Sequence, residues 1–284
     1  VFTLEDIVSK TVDLPSIPSA AIAVMRETDS PTGSAQTVAR YIGQDQALAA
    51  KVLRLANSAY YGLPRQVTDI PDAVVLLGMR CVKNLCMLAG TYSWLSKPLK
   101  GYDLGPAELW RHSFGVAVAA QVVCGQSKKL SPDLGFTAGL LHDLGKVAMS
   151  VWLEGKLSAL LQLAQRDHLT FDEVERKVLG YDHQDVGGYL GEQWNLPSSL
   201  VMAMRYHHRP NETPVQEPVV DAVHVADYLT SAMGLGLGGD ALRYEFESDA
   251  LIRLGLTEDD LEPLADKFLE NFESQEKLFE GMSS

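Results

Sequence analysis

Apolar residues recur along most of this chain at steps of three and four, the spacing of one helix face. The clearest run starts at Ser34 and passes through Val38, Ile42, Leu48, Val52 and Leu55. It ends in Asn57-Ser58-Ala59-Tyr60-Tyr61-Gly62-Leu63-Pro64. Before it, the pattern predicts helices over 3–12, with Thr3 as N-cap and Asp6 three residues on, and over 19–28. Between these, Leu14-Pro15-Ser16-Ile17-Pro18 reads as an extended corner, because each proline restricts its predecessor. Helices follow over 69–77 and, past Gly78, over 80–95. Proline at position 106 suits a helix start, and that helix runs to about Cys124. One or two helices cross 131–152, interrupted near Leu144-Gly145. The pattern continues over 157–167, 170–179, 182–194, 197–206 and 219–232. A glycine-rich loop spans Gly234 to Gly239, and two tail helices cover 248–254 and 261–280. No alternating pattern of useful length occurs, so the expected fold class is all-α.

A loop rich in turn formers, Lys97 to Gly105, suggests a division of the 284 residues into an N-terminal helical part over 1–98, a helical core over 99–240 and a tail over 241–284. Charge sharpens the last boundary. Residues 245–284 hold twelve acids and three bases, a net of -9 within a total of -13. An acidic chain repels phosphate backbones, so this reading disfavours nucleic acid as a partner. The three cysteines, Cys81, Cys86 and Cys124, form no CxxC pair. Such sparse use argues for a reducing compartment. No apolar run is long enough to span a membrane, and no signal peptide stands between Val1 and Thr3-Leu4-Glu5-Asp6. A cytoplasmic location is expected. The start at Val1 rather than Met leaves room for a receiver or sensor domain ahead of it.

The histidines carry the candidate chemistry. His142-Asp143 lies in Gly139-Leu140-Leu141-His142-Asp143-Leu144-Gly145-Lys146. Neighbours on a helix point about 100° apart, yet imidazole nitrogen and carboxylate oxygen can converge on a metal held between helices. Lys146, one turn on, can meet a phosphate. Glu108 and His112 are four apart and share a helix face. Downstream come His183, the pair His207-His208, and Asp227. His168 reads as a turn residue, and His224 as offset around its helix from Asp227. The alternative is a polar core whose members hydrogen-bond one another without metal.

His112, His142-Asp143 and Asp227 resemble, in order, the H…HD…D set of the HD superfamily of metal-dependent phosphohydrolases. Glu108, His183, His207 and His208 match the extra positions that its HD-GYP branch uses for a multi-iron site. Leu14-Pro15-Ser16-Ile17-Pro18, Ile42-Gly43-Gln44-Asp45, Leu53 to Gly62, Ala73 to Gly78, and Tyr206-His207-His208-Arg209-Pro210 look like the HDOD domain, across roughly residues 10–232. That resemblance implies an N-terminal helical subdomain packed on an HD-like helical core, in a bacterial signalling protein often joined to receiver domains. Most HDOD members are thought to have lost metal ligands and hydrolase activity. This chain keeps a full candidate set but has Arg209-Pro210-Asn211-Glu212 where HD-GYP proteins carry the Gly-Tyr-Pro loop.

The resemblance therefore implies a regulatory module that binds a signalling protein or a small nucleotide or phosphate ligand. One or two divalent ions, iron or manganese, would sit on the eight positions. The alternatives are a metal-dependent phosphohydrolase, with Lys146 steadying phosphate charge in catalysis, and an iron-dependent sensor, since a His-rich set with carboxylates suits iron or manganese better than zinc.

Overall fold

A computed structural model describes residues 3–9, 17–236, 238 and 245–280. They form α1 (Leu4–Ser9), α2 (Ser19–Asp29), α3 (Ala35–Gly43), α4 (Gln46–Ala56), α5 (Ile70–Leu77) and α6 (Met79–Leu95). Next come α7 (Glu108–Ser127), α8 (Pro132–Leu141), α9 (Leu144–Leu153), α10 (Leu157–Asp167) and α11 (Phe171–Leu179). The series closes with α12 (His183–Gln193), α13 (Ser198–Tyr206), α14 (Pro218–Ala232), α15 (Asp249–Leu254) and α16 (Leu261–Glu280). The fold is all-α. Among the described residues there is no strand, only an isolated bridge between Leu99 and Leu104. Nor is any described helix long and apolar enough to cross a membrane. The extended corner expected at Leu14-Pro15-Ser16 lies outside the described residues, as do positions 237 and 239 of the expected glycine-rich loop.

Most starts and stops follow the local chemistry. Thr3 and Asp6 cap α1 reciprocally: Thr3 N–H donates to Asp6 Oδ2 (2.9 Å) and Asp6 N–H to Thr3 Oγ1 (3.1 Å), the capping-box exchange. Asp69 caps α5 by accepting from Asp72 N–H. Two expectations change. The run expected from Ser34 to Leu55 is two helices, because the Asp45 carboxylate accepts from Leu48 N–H at 3.0 Å and starts α4 afresh. Pro106 does not open α7. Ala107 takes a left-handed conformation (φ 63°) and donates to Ser96 O, so the helix begins at Glu108.

The chain divides into two compact units. One comprises 16–93 with 269–284. Within it α3 packs on α2 and α5, and α4 on α5, burying Val24, Met25, Val38, Ile42, Val52, Leu55 and Val74. Asn57 pins the long loop after α4. Its amide donates to Leu53 O (2.9 Å) and Val67 O (2.8 Å), and its Oδ1 accepts from Val67 N–H at 2.7 Å. Asn57 therefore has a structural role here.

The other unit comprises 1–15 and 94–268. Helix α7 is its axis, packed along α8 and α14, while α12 lies against α9 and α13. The acidic tail joins this core through its apolar face. Leu251, Leu254, Leu256 and Leu264 are buried with Val122, Val123, Ala222, Val225 and Leu229.

Two close approaches fix the geometry. A Cβ on Gly139 would lie 2.6 Å from Val116 O, so α8 rides directly on the α7 backbone. A Cβ on Gly145 would lie 1.8 Å from His183 O and 2.7 Å from Gly187 N, so the start of α9 touches the start of α12. Gly145→Ala is expected to lower stability by about 1–3 kcal/mol through overpacking. Gly43→Ala, a helical position with nothing within 4 Å of the added carbon, should leave stability unchanged or raise it. Urea denaturation of both variants checks the contrast, and equal behaviour would contradict the close approach.

Candidate metal centre

Four helix ends and two helix interiors bring the ordered histidines and aspartates together. His142 follows the last residue of α8, and Asp143 is the N-cap of α9. His183 is the first residue of α12, and His207 follows the last of α13. His112 lies in the second turn of α7, and Asp227 sits in α14. Except for half-buried His208, all are buried. Backbone at helix ends lacks intrahelical partners, and these ring nitrogens use some of it.

In four rings Nδ1 faces an acceptor. His112 Nδ1 meets Leu235 O at 3.1 Å, and His142 Nδ1 meets Gly139 O at 2.7 Å. His183 Nδ1 meets Glu175 Oε2 at 2.8 Å, while His207 Nδ1 is shared between Ala203 O and Met204 O, each at 3.2 Å. Carbonyls and carboxylates only accept, so Nδ1 carries the proton in each ring. Nε2 is then the atom offered to the centre, as a lone pair in the neutral ring.

All four Nε2 atoms converge on Asp143. His112 and His142 stand 3.6 and 3.4 Å from Oδ2, and His183 and His207 stand 3.5 and 3.6 Å from Oδ1. These separations are long for hydrogen bonds. Ligand bonds of about 2.0–2.2 Å to a shared tetrahedral ion would put neighbouring donors roughly 3.4 Å apart. His142, His183 and His207 Nε2, both oxygens of Asp143, and Asp227 Oδ2 are buried with no hydrogen-bond partner. Asp143 Oδ2 does face the Lys146 ammonium at 2.7 Å, an ion pair outside hydrogen-bond geometry. Buried lone pairs aimed at one another are costly without a cation between them; a proton on His183 answers one of them, and the set as a whole fits a metal. Among the Nε2 atoms, only that of His112 comes within hydrogen-bond reach of a carboxylate, Asp227 Oδ1 at 3.1 Å, and it donates there only when the ring is protonated.

The donors fall into two groups, His112–His142–Asp143 and Asp143–His183–His207–His208. Asp143 belongs to both, one oxygen toward each. Asp227 stands at the edge of both, its Oδ2 3.5 Å from His208 Nδ1. Glu108 stands apart: it is exposed and its carboxylate accepts from Gly105 N–H at 2.6 Å.

Electrostatics sort the rings. Burial, with His142 and His183 nearby, pushes His207 down to about 4. Burial and the adjacent His207 hold His208 well below the usual histidine range. Both rings are therefore neutral at pH 7, as metal ligation requires. Burial also disfavours a charged His183, but the Glu175 carboxylate outweighs it and carries the ring up to about 9, so an ion there would replace a proton. Burial opposes ionisation of Asp143, yet His142 and Lys146 hold it well below the usual carboxylate range.

Sequence reasoning missed Glu175. It is fully buried, accepts from His183 N–H (2.9 Å) as well as from Nδ1, and takes a short hydrogen bond from the Tyr102 hydroxyl. A carboxylate on the far nitrogen orients a ligating histidine and raises its basicity. The signal lay in Phe171-Asp172-Glu173-Val174-Glu175, where one acid falls on the apolar face with Phe171, Val174 and Leu179.

His224 and His168 do not offer ligand atoms to the centre. The first bonds backbone at both ring nitrogens. The second is the exposed left-handed C-cap of α10.

A cavity of about 250 Å³ opens onto the centre. His112, Lys146, His183, His208 and Asp227 line its inner part, and Arg176 and Arg209 stand in its wall. Both arginines pair with the buried Asp182, Arg209 Nη2 at 3.2 Å. Glu245 and Glu247 of the acidic tail also line it.

The family model for the HDOD domain matches residues 14–210. A crystal structure of an HDOD domain protein with unknown function from Geobacter sulfurreducens is similar over 99% of this chain and 93% of that one, with TM-score 0.73 and 26% identity. A Shewanella amazonensis SB2B structure, provisionally named a phosphohydrolase, matches over 96% and 97% of the two chains, with TM-score 0.69 and 25% identity. An uncharacterized protein of Treponema pallidum (strain Nichols) is 25% identical over 219 residues, 76% of this chain. The chain spans 42% of the length of that relative.

Glu175→Gln, which keeps volume and removes the charge beside His183, is expected to weaken divalent-metal affinity about 10-fold, the lower end of the usual range for such partners. Titration against a chelator of known affinity checks this, and an unchanged affinity would remove Glu175 from the centre.

Proposed function

We propose, since the chain belongs to the HDOD domain family, that it is a signal-transduction module holding one or two divalent ions on its buried histidine–aspartate centre. The observation that carries this reading is the convergence of partnerless buried acceptors on Asp143. With two ions, Asp143 would be shared between His112–His142 and His183–His207–His208, and Asp227 would stand beside both. A donor set of imidazoles and carboxylates without thiolate suits iron or manganese. Bound there, such an ion would supply Lewis acidity toward a phosphate ligand.

The regulatory half rests on the family and on the segment after His208. Arg209 and Glu212 pair with each other at 3.2 Å, and Arg209 also pairs with Asp182, so ion pairs hold this segment at the cavity wall. The partners proposed are a signalling protein and a small phosphate-bearing ligand entering the cavity, with a cytoplasmic setting.

A second reading, metal-dependent phosphohydrolase, is favoured by one feature: Lys146, Arg176 and Arg209 line the cavity that reaches the centre, where they could hold phosphate oxygens. The provisional name of the Shewanella amazonensis relative agrees with it.

Protein purified without a histidine tag under anaerobic conditions should contain at least one equivalent of iron or manganese. Asp143→Asn should lose it while keeping the helical circular dichroism. Saturating metal at about 100 times Kd should raise stability by about 2.7 kcal/mol. Wild-type protein that takes up no ion on reconstitution would overturn the proposal. Phosphodiester turnover lost in Asp143→Asn would decide for the second reading, and its absence in loaded wild type for the first.

A further inference from the structure

His224 is fully buried on α14, three residues before Asp227, yet neither ring nitrogen serves the centre directly. Its Nδ1–H donates to the backbone carbonyl of His207 at 2.7 Å. Its Nε2 accepts from the backbone N–H of Glu247 at 2.9 Å. The two bonds fix one neutral tautomer. The ring therefore bridges a residue whose Nε2 faces Asp143 and the segment leading into α15.

That segment is held at several other points. Phe246 lies nearly parallel to the His224 ring, with centroids 5.4 Å apart, and packs on Tyr228 at 4.4 Å. Glu247 Oε2 accepts from Asn211 Nδ2 at 2.6 Å. Arg253 on α15 donates to both oxygens of Asp221 at 2.6–3.0 Å and to Asn211 Oδ1 at 2.7 Å. A forked guanidinium–carboxylate pair is among the more rigid polar contacts available.

His207 needs an external hold. It follows the last residue of α13, where carbonyls have no helical donor, and its own Nδ1 is divided between two carbonyls at 3.2 Å. The His224 bond satisfies its carbonyl and fixes the chain direction from which its ring projects.

We infer that His224 is a positioning residue of the metal centre, holding His207 in ligand geometry while the segment from Phe246 to Arg253 is docked. Loading of the Asp143–His183–His207–His208 group and docking of that segment then stabilise one another, as linkage requires of any two coupled events. This rests on the metal reading above, and gives that centre a mechanical connection to the acidic tail.

The test uses Mn²⁺ titration of the full chain, with hydrogen exchange over residues 246–254. His224→Phe keeps a ring against Phe246 and removes both bonds. It should bind one ion about 10–100-fold more weakly, the range for lost outer-shell partners, while the ion at His112–His142 keeps its wild-type affinity. His224→Asn, whose amide can donate to His207 from the position of Nδ1, should recover most of the loss. In wild type, Mn²⁺ should slow exchange over 246–254. In His224→Phe it should not. Wild-type affinities in His224→Phe, equal loss of both ions, or wild-type exchange indifferent to Mn²⁺ would each overturn the inference. Wild type that takes up no Mn²⁺ would overturn the metal reading and this inference with it. Should His224→Phe fail to fold, the asparagine variant and the wild-type exchange experiment decide the matter.

Discussion

The Asp143 carboxylate is the constraint around which this helical unit is arranged. It is fully buried and ringed by imidazoles, and burying an ionised carboxylate is tolerable only where positive charge or hydrogen bonds compensate it. Lys146 supplies one cation from the next turn of the same helix. The remaining directions are filled by ring nitrogens too distant for hydrogen bonds. A chain that aims four ring nitrogens at one buried carboxylate, each held through its Nδ1, leaves room at the centre for an ion in place of the His183 proton.

Helix ends do most of the aiming. The join between α8 and α9 is a single turn containing His142 and Asp143, so two ligand types emerge at one point in fixed relation. Helix α12 starts against that turn, at the contact where Gly145 admits no side chain. The end of α13 then supplies His207 and His208 from backbone that must find partners outside its own helix. Each element brings an unsatisfied end to the same place, and the histidine rings settle part of that debt. Rigid secondary structure behind each donor is what a precise coordination site needs.

Much of this was legible in the sequence. Three- and four-residue spacing placed the helices, because amphipathic helices announce their buried face locally. The His142-Asp143 pair stood out because adjacent titratable residues amid Leu140, Leu141 and Leu144 are costly unless used. Other features depend on tertiary placement. Glu175 sits in a highly charged helix, and only its burial beside His183 separates it from Glu173, which caps the same helix at Thr170. Glu108 shares a helix face with His112 on spacing alone, but the left-handed Ala107 starts α7 so that its carboxylate turns back to Gly105. His224 has the composition of a ligand and the geometry of a bridge, a distinction that no spacing rule carries.

The acidic tail shows how a charged segment can also pack. A net of -9 over 245–284 suggests a solvated face. The apolar residues within it, however, close the hydrophobic surface of α7 and α14, while Glu247 and Arg253 tie its start to Asn211 and Asp221. Burial of leucines fixes the tail to the core, and the polar contacts fix its register there. Such a segment carries surplus charge on its outer side and still places a backbone N–H on His224. Displacing it would expose Leu251, Leu254 and Leu256 to water and leave a buried imidazole acceptor without its donor, so it opens only against both hydrophobic and hydrogen-bond terms. An event that shifts it therefore acts on the backbone of His207 as well, and the path from tail to centre is three residues long: Glu247, His224, His207.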